Sequence, residues 1–360
     1  MFKRLRSLLL PLALSLPLSA LAGLFTSMFV FGDSLLDTGN LAWVSGGGLP
    51  PQPVGSGFNG PYYQNTRLSN GPLWIEGVAA GLGLANTAAP ALLGGNNYAF
   101  AGAMTGTGQN PPGVLAQAVG LWGQGSAALG LPAHPLADPN ALYVVVGGGN
   151  DMRDVRSLYP GMSAPEVTAH QAAAAAAIVN LATTLGYLAS VGAKNILIAT
   201  VPDLGYTPEA ALRSLQLSLP DIQAASSDAS AWFNAGVPGL MGFGASLGLH
   251  MNLLDIAGLF NDILANPASF GITNTSLPCA GFEFSAGASC DTSLFADVLH
   301  PSAYAGSLLA RAALDVLGVP EPDTLVLFGL ALLALAVAHR RRAAGRQSGW
   351  PCHGHSVSRS

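Results

Sequence analysis

The stretch FVFGDSLLDTGN, residues 29–40, decides the fold. An apolar run over residues 28–31 stops abruptly at Gly32-Asp33-Ser34, as a buried parallel strand does when it breaks into a tight turn, and Leu35 and Leu36 open the next element. A polar residue just past the carboxyl end of such a strand sits where open α/β sheets bind their ligands. On their own these residues are most simply a capped turn. Three more short motifs further along the chain, in a usable order, single out Ser34.

Outward from that turn the pattern alternates. Residues 141–146, ALYVVV, form the clearest buried strand, ending in a second polar turn at Gly147-Gly148-Gly149-Asn150-Asp151. Residues 195–201, NILIATV, form another that Pro202 breaks; shorter strands are expected at 96–101 and 250–254. Helices are expected over 72–84, 114–129, around 210–235, and over 256–265 and 303–317, the last with Ser302 as N-cap. Ser163 and Glu166 have capping-box spacing and open a long Ala-rich helix that Gly192 closes. Residues 41–60 and 102–113 are Gly- and Pro-rich loops. Strands alternating with helices, without an internal repeat, argue for one α/β domain whose parallel sheet is covered on both faces.

Composition narrows the function. Of 360 residues only 9% are charged, and the basic ones crowd the two ends. Between Gly23 and His339 six cations face all nineteen carboxylates, a formal charge of −13. Such a body repels phosphate backbones, which speaks against nucleic acid as a partner.

Both ends read as addresses. Lys3, Arg4 and Arg6 precede an apolar run over 8–18 and the small-x-small site Ala20-Leu21-Ala22, a secretory signal over residues 1–22 cut after Ala22. Pro11 and Pro17 interrupt that run, which argues against a buried helix. Export implies an oxidising compartment, where Cys279 and Cys290 in a Gly- and Ser-rich loop can close a small disulfide ring, leaving Cys352 over. At the far end Pro320-Glu321-Pro322 leads into fourteen largely apolar residues, 325–338, and then Arg340, Arg341 and Arg342. The run is short for crossing a bilayer unaided, and the arginines would hold its end in the cytoplasm. These three parts in order resemble the PEP-CTERM sorting signal of Gram-negative bacteria, over residues 319–342. That resemblance implies an exosortase-type processing machinery as partner, a membrane contact through the C-terminal segment, and a place at the cell surface or outside the cell. Residues 343–360, with Cys352, His353 and His355, extend past where such signals usually end and read as a disordered tail.

The body, residues 23–318, holds the chemistry. A serine hydroxyl needs a base within hydrogen-bond reach, and the base needs an orienting acceptor. Asp297 and His300, three residues apart in FADVLHPSAYAG, can meet in one local turn at the start of the last helix. The transition state of acyl transfer also needs donors aimed at the developing oxyanion. Glycine turns at Gly102 and at Gly148-Gly149-Asn150 can supply a backbone N–H and a side-chain amide. Taken singly, each of these motifs is more simply a capped or flexible turn.

Together they resemble the SGNH, or GDSL-type, hydrolase family, in its esterase and lipase acylhydrolase branch. The blocks are Gly32-Asp33-Ser34-Leu35 running on to Asp37-Thr38-Gly39-Asn40, then Asn97-Tyr98-Ala99-Phe100-Ala101-Gly102-Ala103, Gly148-Gly149-Asn150-Asp151, and Asp297-Val298-Leu299-His300-Pro301. Secondary matches are Arg67-Leu68-Ser69-Asn70-Gly71-Pro72-Leu73-Trp74, Pro202-Asp203-Leu204-Gly205 with Thr207-Pro208, and Asn266-Pro267 with Phe270-Gly271. The resemblance spans residues 29–317. It implies a three-layer α/β/α fold, a doubly wound, flavodoxin-like five-stranded parallel sheet, with the site at the strands' carboxyl edge. It implies Ser34 as nucleophile, His300 as base, Asp297 as its orienter, and the Ser34 and Gly102 N–H groups with the Asn150 amide as oxyanion donors. Gly106, four residues on in the same loop, is the other candidate for the glycine. No metal or organic cofactor is required by such a mechanism. The implied substrate is a lipid or simple acyl ester, with Trp43, Phe58, Tyr62, Tyr63 and Trp74 available to line an acyl or sugar site. An O-acetyl esterase acting on surface polysaccharide, and a binding module that keeps the scaffold without turnover, are the alternatives.

Overall fold

Four strands carry the sheet in the computed structural model, which describes residues 24–46, 67–216, 218–280 and 288–319. β1 (Met28–Phe31), β2 (Leu142–Val145), β3 (Asn195–Ala199) and β4 (His250–Leu254) lie side by side in that order, each pair parallel. The register sets Phe31 opposite Val145, Val145 opposite Ile198 and Ala199 opposite Leu254, so all four carboxyl ends reach one edge. Every residue of β1 and β2 is buried, as a parallel sheet covered on both faces requires. The expected signal peptide, the sorting signal and the tail lie outside the described residues.

The helices are α1 (Asn40–Val44), α2 (Trp74–Gly81), α3 (Val114–Ala116), α4 (Gly149–Leu158), α5 (Ala164–Ser190), α6 (Pro208–Gln216), α7 (Ile222–Ser246), α8 (Ile256–Ala265) and α9 (Ala303–Val316). Alternation along the strands sends Phe29, Phe31, Tyr143, Val145, Ile196 and Ile198 to one face. There they share a core cluster with Leu181 and Leu185 of α5 and with Phe233 and Val237 of α7. On the other side α9 packs against α2 and against β4. The result is an α/β/α layering. By length and composition α5 is apolar enough to cross a membrane, yet its Ala174, Ala177, Leu181, Leu185 and Leu188 are buried in the domain core.

The fifth strand expected at residues 96–101 is not a regular strand. The segment does run beside β1: the Val30 N–H donates to the Asn96 carbonyl at 3.1 Å, and the Tyr98 and Phe100 N–H groups donate to Val30 and Gly32 carbonyls at 2.7 and 3.0 Å. The ladder then stops: the Gly32 N–H, which would continue it on the Tyr98 carbonyl, goes to Gln117 Oε1 at 2.8 Å, while Asn97 pairs its outer side with residues 89 and 91. A side-chain amide that takes a backbone N–H removes that donor from the ladder. The edge is therefore a set of bridges. The helix expected over 114–129 also differs: it passes from α3 into a π-helical stretch, Gln117–Gln124, and stops where Gly125 turns the chain at φ 73°.

Cys279 and Cys290 are joined in a disulfide. Beside it the Cys279 and Ala280 N–H groups donate to the Phe295 and Ala296 carbonyls at 3.1 and 2.9 Å. The bridge thus ties down the segment that leads into Asp297.

Candidate active site

Four loops meet at the carboxyl edge of the sheet. After β1, the Asp33 carboxylate accepts the Leu35 N–H at 3.0 Å and the Asp33 carbonyl accepts from Leu36 and Asp37, which curls the chain and sets Ser34 at the top of the turn. Before α9, Asp297 Oδ1 accepts the Leu299 and His300 N–H groups, folding a tight turn that brings Asp297 Oδ2 to 2.6 Å from His300 Nδ1. On its other side His300 Nε2 lies 2.8 Å from Ser34 Oγ. The sequence separates these two residues by 266 positions, and the fold brings them into direct contact. Ser34, Asp297 and His300 are all buried.

The stretches around them hold that line in place. Ser69 Oγ donates to the Pro301 carbonyl at 2.9 Å and Asn70 Oδ1 accepts the Ala303 N–H at 2.8 Å, so residues 67–74 brace the histidine loop. Asp37 accepts four backbone N–H groups, from Gly39, Asn40, Leu41 and Ala101. Through the last of these the β1 turn grips the loop that carries Gly102.

Gly102 is the third residue of a turn closed by the Ala103 N–H on the Phe100 carbonyl at 3.0 Å, with φ 82°. Glycine takes that conformation without a steric penalty, which accounts for its identity. The Asn150 amide donates from Nδ2 to the Ala103 carbonyl at 3.0 Å, one residue from Gly102. Gly106 instead lies against Asn180 of α5. Behind Asn150, Gly148 stands at φ 115°, and a Cβ there would meet the Phe233 ring at 2.3 Å. Only glycine fits that corner.

Arg153, three residues after Asn150 on α4, was not legible as a site residue. Its Nη1 donates to Asn150 Oδ1 at 2.9 Å, while Nε and Nη2 straddle the Glu209 carboxylate at 3.0 and 2.7 Å. Arginine can only donate, so Asn150 must turn its oxygen toward Arg153 and its NH2 toward Ala103. One of that group's two hydrogens is then spent and the other is left for the cleft. Burial would push the Glu209 carboxyl upward, but Arg153, Arg156 and Arg213 around it hold it down to about 2. The Glu209 backbone N–H also donates to the Val298 carbonyl at 2.7 Å, joining this ion cluster to the histidine turn.

Asp33 has the opposite environment. Burial pushes its carboxyl up to about 6, against the pull of the Leu35 N–H and of nearby His300 and Arg153. As pH rises from about 4 through 6 the unfolded chain ionises first, so this group withdraws stability over that window. Asp33→Asn should match the native protein near pH 4 and exceed it at pH 7 by up to about 3 kcal/mol, at 1.36 kcal/mol per pH unit. Urea unfolding at the two pH values reads this, and a pH-independent difference would reject it.

Ser34, Asn150, Arg153 and His300 line a hollow of about 490 Å³ together with Thr200, Val201, Pro202, Leu204 and the two leucines Leu35 and Leu299. Trp74 lines a smaller one, about 230 Å³, on another side of Ser34. Of the aromatic residues proposed for a substrate site, Trp43 is exposed, and Phe58, Tyr62 and Tyr63 lie outside the described residues. Among the described residues no cluster of His, Cys, Asp and Glu has the makings of a metal site.

A family model described as GDSL-like lipase/acylhydrolase matches residues 28–313, and one described as PEP-CTERM protein-sorting motif matches residues 318–342. The chain is 28% identical over 330 residues to a phosphatidylcholine-sterol acyltransferase of Aeromonas hydrophila, covering 84% of this chain and 82% of that protein. It is 26% identical over 321 residues to a GDSL esterase/lipase of Arabidopsis thaliana, covering 79% and 85%. To esterase EstA of Pseudomonas aeruginosa it is 29% identical over 341 residues, covering 84% and 48%. The chain thus spans about half the length of its Pseudomonas relatives.

Proposed function

The chain belongs to the GDSL-like lipase/acylhydrolase family, and from that membership and the geometry of the rim we propose that it hydrolyses acyl esters through Ser34, His300 and Asp297. The observation that carries this reading is the continuous line from Ser34 Oγ through the His300 ring to Asp297, 2.8 Å and 2.6 Å long at its two links. Ser34 attacks the ester carbonyl as His300 Nε2 takes its proton. Asp297 keeps the other ring proton on Nδ1 and stabilises the imidazolium. His300 then protonates the departing alcohol, and water repeats the sequence on the acyl-serine.

The oxyanion is held by the Ser34 and Gly102 N–H groups and by the unspent hydrogen of the Asn150 amide. Arg153 acts at one remove, as the positioning residue that fixes which way that amide faces. Asn150→Ala should lower kcat toward p-nitrophenyl butyrate by about 10²- to 10³-fold with little change in KM. Arg153→Ala should lower kcat in the native background and cost little more once Asn150 is alanine. Independent, additive losses in that double-mutant cycle would contradict the positioning role.

The PEP-CTERM motif at residues 318–342 supports export and handling by an exosortase-type machinery. In this reading the segment 325–338 holds the protein at the membrane, transiently or stably, and the hydrolase domain works at the surface or outside. Intact mass of the cell-surface and medium fractions tests it: processing predicts a species ending near residues 320–324, and a full-length species alone argues against it.

A further inference from the structure

A second hollow, of about 530 Å³, opens beside the one that holds Ser34. Leu35, Pro202 and Leu299 belong to both. Two of these are the immediate chain neighbours of Ser34 and His300, so the second hollow begins one residue from the reacting atoms. Its far wall is built from α8, where Ile256, Leu259, Phe260 and Ile263 recur at helical spacing on one face, and from Phe295 and Leu309. Among its described lining residues Thr207 is the sole polar side chain. Its hydroxyl is already engaged, donating to the Leu204 carbonyl at 2.7 Å and accepting the Ala210 N–H at 3.3 Å.

We propose that this hollow binds the hydrocarbon tail of the substrate's acyl group, making the enzyme selective for medium- and long-chain acyl esters. The inference rests on the ester-hydrolase reading above. A sugar ring against this wall would lose its water partners and find no donors or acceptors in return. A hydrocarbon tail has none to lose. The alcohol leaves in the first half of the reaction, whereas the acyl group stays bonded to Ser34 until water arrives. The side pocket that shares the nucleophile's neighbours suits the arm that stays.

The test uses p-nitrophenyl esters, which vary the acyl chain while the leaving group is constant. In the full-length protein kcat/KM should rise about fourfold per methylene that enters the hollow, so on the order of 10²-fold from butyrate to octanoate. Leu259→Trp fills the hollow and Leu259→Ser wets its wall; each should cut the octanoate-to-butyrate ratio at least tenfold. A flat profile, a ratio untouched by both variants, or a rise that follows the alcohol in acetate esters of butanol and octanol would overturn the proposal. Fluorescence titration of the Ser34→Ala protein with dansylaminoundecanoic acid reads the hollow without turnover. Binding that weakens in the Ser34→Ala, Leu259→Trp double variant supports the site even if every ester proves inert, an outcome that would count against the reaction alone. Equal binding in the two would reject the site.

Discussion

Ser34→Ala is expected to lower kcat toward p-nitrophenyl butyrate by about 10⁶-fold, the scale on which a serine nucleophile is lost. The hydroxyl is the group within 2.8 Å of His300 Nε2 and the start of the proton path. A methyl group there can form no acyl bond, and the imidazole has nothing to deprotonate but water. Residual hydrolysis would come from the oxyanion donors and from binding alone, which still exceed water by about 10³- to 10⁴-fold. The exchange removes one oxygen from a buried position, so folding should be little affected. A fluorophosphonate probe should modify the native protein once, at Ser34, and leave the alanine variant unlabelled. Undiminished turnover in Ser34→Ala, or a label found on another serine, would place the chemistry elsewhere.

Much of this arrangement is local, and what is local is legible. The strands at 142–145 and 195–199 are apolar runs ended by Gly or Pro, and the one at 250–254 is followed directly by a helix. The helix starts at Ser163 and Ser302 announce themselves by capping residues. Ser34, Asn150 and the pair Asp297 and His300 each stand at such an end, so placing the ends places the side chains. The edge at residues 96–100 is different, because the Gln117 side chain takes the Gly32 N–H that would continue its ladder with β1, and a pattern of apolar residues carries no trace of that competition. Arg153 and Glu209 lie 56 residues apart and meet only because α4 and α6 both pack against α7. The single hint was spacing, since Arg153 falls one turn beyond Asn150 on the same helix face. The apolar hollow is assembled from four distant segments, each of which reads by itself as ordinary core. Its existence depends on how well they close, which no one of them records.

Asp297→Asn is the second large effect, and its cause is a tautomer. Asp297 Oδ1 accepts two backbone N–H groups, from Leu299 at 2.7 Å and from His300, while Oδ2 faces His300 Nδ1. In the asparagine variant the oxygen must stay with those two donors, because an NH2 group there would meet them head on. The NH2 is left facing Nδ1, and that nitrogen must then be bare to accept it. The ring proton moves to Nε2, which confronts Ser34 Oγ as a donor and cannot take its proton. A loss of about 10⁴-fold in kcat is expected on these grounds, with the fold and the disulfide intact. Nitrogen NMR of the neutral His300 ring should report the proton on Nε2 in the variant and on Nδ1 in the native protein. Activity within tenfold of native, or an Nδ1–H tautomer in Asp297→Asn, would show that Asp297 does not set the ring. Asp297→Ala separates orientation from tautomer: without either oxygen the turn loses two hydrogen bonds, so this variant alone should lose stability as well as rate.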